Sequence, residues 1–238
     1  MTKPNVLLLG IGNLLWADEG FGVRVVEQLL KNYVFPENVT VMDGGTQGIY
    51  LVEHVQQADI LIVFDAIDFG FPAGSLHQIH DDDVPNFLGA KKMSLHQTGF
   101  QEVLAMAQLL GDYPKHLLLI GVQPVELEDF GGSLRPVVKA QIKPAMTLAL
   151  NYLKTFGIEP LEISDAVTLA DPMLDIARYE NERPSETVAC RLGDERVIFA
   201  PDIKITPPQT LDGAVAVPVI FGGSIDFRML NQAYGNKN

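Results

Sequence analysis

The side chains of this chain best able to do chemistry are carboxylates and one imidazole, each standing where an apolar run gives out. Asp18 and Glu19 lie in "WADEGFG", a few positions beyond the run "NVLLLGIG". Asp43 ends "NVTVMD", and Asp65 ends "DILIVFDA" with Asp68 close behind. His96, in "KKMSLHQTG", stands just ahead of a long amphipathic segment. Two of these carboxylates together with the imidazole would make an O,O,N donor set suited to a divalent transition metal such as nickel or zinc, with positions left over for water or substrate. A metal so held can activate water near neutral pH and polarise a carbonyl, the two requirements for hydrolysing an amide.

Each of these residues also has an ordinary role. Asp18 is placed to cap the helix that follows, and Glu19 to complement its dipole. Asp65 could bond its own backbone in the "DAID" turn, and His96 could be a helix-entry residue with Ser94 as the cap. His54, His77, His80 and His116 lack such company and read as structural or surface residues. The run Asp81-Asp82-Asp83 has no regular ligand spacing and reads as a solvated turn. The metal set therefore depends on a fold that gathers distant segments at one edge.

The pattern of elements predicts such a fold. "NVLLLGIG", "DILIVFDA" and "HLLLIGVQP" are continuous apolar runs, as in strands buried on both faces, and "NVTVMD" is a further strand. Helical spacing of Val23, Val26, Leu29 and Leu30 predicts a helix beginning at Asp18. Further helices are expected over Ile49–Gln57, Gly99–Gly111 and Pro136–Gly157, the last kinked at Pro144. The alternating "SLHQIH" predicts an edge strand. The expectation is an α/β domain, residues 1–157: a doubly wound, mostly parallel sheet with helices on both faces, three layers αβα. In such sheets ligands bind outside the carboxyl ends of the strands, the edge to which Glu19, Asp43, Asp65 and His96 are assigned. Residues 158–238 read as a β-rich extension, with a hairpin over Thr187–Ala200 and a strand over Ala214–Gly223.

Composition narrows the function. The 238 residues carry 30 acidic and 17 basic side chains, a formal charge of −13 that repels phosphate backbones and argues against nucleic acid. One cysteine, Cys190, excludes an internal disulfide and a multi-cysteine metal site. The amino terminus breaks at glycine too early for a signal peptide, and no run is long enough to insert in a bilayer, so a cytoplasmic protein is expected. "GIGNLL" lacks the third glycine of the dinucleotide fingerprint, having Leu15 there, although Asp43 would suit a nucleotide. There is no P-loop, no "GxSxG" elbow and no His-Glu-x-x-His helix.

In order and spacing, "LLLGIGNLLWADEGFGVRVVE", "DGGTQG", "VFDAIDFG", "KKMSLHQTGFQEVL", "LLIGVQP" and "GGSLRP" resemble the nickel–iron hydrogenase maturation endopeptidases, nearest the branch serving membrane-bound uptake hydrogenases. The resemblance covers about Asn5 to Gly157. It implies removal of a short C-terminal peptide from the immature hydrogenase large subunit once nickel is inserted. Carried over by motif, Glu19, Asp65 and His96 would be both the metal-contacting and the catalytic residues. Asp43, Gly44, Gly45 and Thr46 would handle substrate. The nickel would arrive on the large subunit, held by its thiolates, and zinc or cadmium could stand in for it. Two other functions fit the same residues: a nickel-checking chaperone that binds the immature subunit without cutting it, and a nucleotide-dependent enzyme using the "GIGN" turn.

Overall fold

The computed structural model describes residues 3–85, 95–163 and 175–182, and for 95–99 the backbone alone. All of these belong to the first of two compact units, Met1–Leu192 and Gly193–Asn238. The expected hairpin and strand of the extension, with Cys190, lie outside the described residues.

The three continuous apolar runs are the centre of a five-stranded sheet. β1 (Val6–Ile11) lies between β3 (Val39–Gly45) and β4 (Ile60–Ala66), and β6 (His116–Val122) follows β4, all parallel. Side chains alternate between two cores, as strand geometry requires. Leu8, Ile60, Ile62 and Phe64 face one helical layer, while Leu7, Leu9, Leu61 and Val63 face the other. Phe64 is wholly enclosed, a burial that stabilises the fold by about 1.5–3 kcal/mol. The alternating segment is β5 (Leu76–His80), antiparallel to β6 at the sheet edge and half-exposed, as its pattern predicts.

The first layer consists of α1 (Phe21–Asn32) and α5 (Ile142–Thr155), and the second of α2 (Val52–Gln56) and α3 (Leu95–Leu110). α3 begins four residues before the expected Gly99, so His96 lies in its first turn rather than ahead of it. The expected helix over 136–157 is two helices, α4 (Pro136–Lys139) and α5, parted at Ala140 and Gln141. Pro144 does not kink α5. It is the third residue, where a backbone N–H would have had no partner within the helix, and the ladder opens with Ala145 N–H donating to Gln141. A second, two-stranded sheet pairs β2 (Tyr33–Val34) with β7 (Leu161–Glu162). α6 (Ile176–Glu182) is the last described element.

The order β3-β1-β4-β6-β5 sets the place of the site. From β1 the chain crosses to β3 on one side, then returns past β1 to β4 on the other. The switch point thus falls between the carboxyl ends of β1 and β4, where α/β folds bind ligands.

Candidate functional site

A short 3-10 turn (Ala17–Gly20), not the helix itself, follows β1. Asp18 is therefore not the cap of α1, whose first residue is preceded by Gly20 with no side-chain cap. The turn lies hard on the strand ends because glycines admit it. A Cβ on Gly12, at φ +133°, would come within 1.8 Å of the Glu19 carbonyl oxygen. One on Gly22 would come within 2.1 Å of the Phe64 carbonyl and 2.3 Å of that of Ile11. The glycines after β1 thus serve close packing of the chain on itself. The approach that a pyrophosphate makes to such a turn is taken here by Glu19's own backbone, which removes the physical basis of the nucleotide reading.

Glu19 is half-buried, in the turn that packs against β4. Asp65, the penultimate residue of β4, is only 4% exposed. Its Oδ1 accepts the Ala66 N–H at 2.7 Å, the local turn that the sequence allowed. The two carboxylates thus flank the switch point from neighbouring strands. α3 runs back antiparallel to β6, which it precedes, so its first turn and His96 lie at this same rim. The His96 side chain and Ser94 fall outside what is described. Among the described residues no three histidine, cysteine or carboxylate groups gather as a metal centre.

Asp43, two residues before the end of β3, lies toward the rim beside Gly10 of β1. Its Oδ1 is buried without a hydrogen-bond partner. Burial raises the carboxyl above its ordinary pKa, opposed by the Gly45 backbone amide and by the Arg24 guanidinium. An orphaned carboxylate oxygen at a strand end is costly unless something completes it, the expected condition of a group that meets a ligand. Gly44 is buried, Gly45 takes φ +46° in the turn, and Thr46 is exposed.

Asp18 has a role the sequence did not indicate. It is fully buried, and its carboxylate is an anchor for the loop between β6 and α4. Oδ2 accepts the Val125 and Glu126 N–H groups at 2.8 and 3.0 Å, and Oδ1 accepts that of Arg135 at 2.7 Å. Burial raises its pKa even against those three donors. The loop is stiffened further by an ion pair of Arg135 with the buried Asp129, at 2.6 Å. Trp16 and Phe130 meet edge-on across it, with ring centroids 5.2 Å apart. Gln123 fastens the loop after β4. Its Oε1 accepts the Phe69 and Phe71 N–H groups, and its Nε2 donates to Asp68 Oδ1. Asp68 is thus a loop brace. Arg24 and Glu27, on α1, form a buried pair at 2.9 Å.

Against known families, residues 23–152 match the model described as hydrogenase maturation protease. The chain belongs to that family. Among related proteins, the hydrogenase expression/formation protein HupD of Thiocapsa roseopersicina is 59% identical over 216 residues, covering 89% of this chain and 98% of its own. The hydrogenase 2 maturation protease of Escherichia coli K12 is 41% identical over 157 residues, 66% of this chain and 94% of that one. Among solved structures, the hydrogenase maturating endopeptidase HybD from E. coli superposes with a TM-score of 0.63 at 38% identity, over 66% of this chain and 97% of that one. The family bears out both the resemblance and the α/β architecture expected from the sequence.

Proposed function

We propose that this maturation protease removes the C-terminal peptide of an immature nickel–iron hydrogenase large subunit, and that Glu19, Asp65 and His96 make the contact with the nickel which that subunit carries. The observation that supports this most is the placement of Glu19 and Asp65 on either side of the switch point, with the first turn of α3 on the same rim. Oxygen and nitrogen donors suffice because the substrate brings the thiolates. An incomplete O,O,N set then tests whether the subunit is loaded, and holds the scissile bond in place once it is. Water attacks the fixed carbonyl while an enzyme carboxylate takes its proton. The C–N bond breaks, and the proton passes to the departing amine. Asp43 and the Gly44-Gly45-Thr46 turn line the path of the peptide. We place this processing in the cytoplasm. Among the described residues no helix is long and apolar enough to cross a membrane.

The test is to mix the protein with nickel-loaded and nickel-free precursor and weigh the products. A mass loss equal to the C-terminal peptide, from the loaded subunit alone, is expected. Zinc or cadmium in place of nickel should be tolerated for binding. His96→Ala should leave the fold intact and abolish cleavage. Cutting of the nickel-free precursor would overturn the recognition role, and tight binding of loaded precursor without any mass loss would make the protein a chaperone.

A further inference from the structure

Helix α6 lies beyond the part of the chain that the family model matches, residues 23–152. It nevertheless grips the loop that Asp18 holds from within. Tyr179 Oη donates to the Gly132 carbonyl at 3.2 Å. Glu180 Oε1 accepts the Ser133 hydroxyl at 2.9 Å, and the same carboxylate takes Lys139 Nζ at 2.8 and 2.6 Å. The Tyr179 ring also lies 5.9 Å from the Arg24 guanidinium, which ties α6 to α1. Gly132 and Ser133 are buried and stand between Asp129 and Arg135, the partners of the loop's internal ion pair. The loop is thus fastened at both faces, by Asp18 inside and by α6 outside.

We infer that Tyr179 and Glu180 are positioning residues: α6 is a clasp that holds the loop from Val125 to Arg135 in register with the catalytic rim. What the clasp positions is the outer wall of the cleft. Val125 is 52% exposed and Phe130 49%, the latter against Trp16, so this stretch offers apolar surface beside Glu19. The Lys139–Glu180 pair is partly exposed and alone worth little. Its weight comes from acting together with the Ser133 and Tyr179 bonds on one short, otherwise buried segment. Glu19 rests on the strand end through Gly12, and Asp18 keeps its own three bonds to the loop, so the turn holds its place when the outer clasp is released. The loss should therefore fall on substrate binding rather than on the chemical step.

The assay of binding rests on the protease reading, whereas the state of the loop does not, so both are measured in the full chain. In Tyr179→Phe/Glu180→Ala, amide hydrogen exchange over residues 125–135 should quicken about tenfold. KM for nickel-loaded precursor should rise several-fold with kcat unchanged. The conservative variant Glu180→Gln with Tyr179 intact, which keeps an acceptor for the Ser133 hydroxyl, should exchange slowly and hold KM near the wild-type value. Unchanged loop exchange in the double variant overturns the clasp, whatever the activity. So does a parallel fall in kcat and KM, or exchange in Glu180→Gln as fast as in the double variant when the melting temperature is normal. Faster exchange in the double variant of a protein that cuts no precursor at all would leave the clasp standing and refute the protease reading.

Discussion

Replacing Asp18 tests how the site is held together. Its carboxylate accepts three main-chain N–H groups from residues more than a hundred positions away, at 2.7 to 3.0 Å, and is itself fully buried. In Asp18→Ala all three donors lose their acceptor inside the protein. At about 1–3 kcal/mol for each unsatisfied donor, offset by relief of a desolvated charge and by whatever water enters, a net loss of about 3–5 kcal/mol is expected. For a domain of this size each kcal/mol lowers Tm by about 2–4 °C, so the melting temperature should fall by roughly 10 °C. Asp18→Asn keeps the shape but turns an NH2 group toward at least one N–H donor, and should lose about half as much. Thermal and urea unfolding followed by circular dichroism measure both. Cleavage should also drop in Asp18→Asn below its melting point, because Glu19 is the next residue and shares the turn. A loss under about 1 kcal/mol in Asp18→Ala would refute the anchoring role.

Two further substitutions probe the rim. Gly12→Ala places a Cβ 1.8 Å from the Glu19 carbonyl at a φ of +133°; it should cost at least about 3 kcal/mol and abolish cleavage, as read by denaturant unfolding and product mass. Asp43→Asn should raise stability at pH 7 by about 0.5–2 kcal/mol while impairing processing. The sign follows from Asp43's raised pKa: in the window between the ordinary value of 3.8 and the higher folded value, the native state binds more protons than the unfolded one. The stability contributed by this group is therefore full below that window and lost as pH rises through the folded pKa. The advantage of the Asp43→Asn variant over wild type should accordingly shrink to nothing in acid, and an advantage that grew in acid would reverse the assignment.

What could be read from the sequence was governed by range. β1, β4 and β6 announce themselves because a strand covered on both faces is apolar at every position, and β5 because an edge strand alternates. Asp43 and Asp65 were legible as rim positions since each stands where such a run gives out, and Glu19 because it follows one within a few residues. β2 and β7 are two residues each, too short for any period to show. The break at Ala140 and Gln141 was hidden because Pro144 offered a more obvious cause of distortion than the helix start it accompanies. Asp18 looked like a cap because its sequence neighbours form a helix, yet all its side-chain partners come from the loop after β6. Gln123 and the Asp129–Arg135 pair, likewise, carry no local signature: a buried amide or ion pair is recognised only from what surrounds it.

The contact between Gly12 and the carbonyl of Glu19 bears on how such a protein can diverge. Because the contact is with a main-chain carbonyl, the glycine is demanded whatever side chain stands at position 19. The acid can therefore be lost without disturbing the fold, whereas loss of the glycine displaces the turn and the acid together. A sequence that keeps the acid but not the glycine should have rebuilt its entire first crossover.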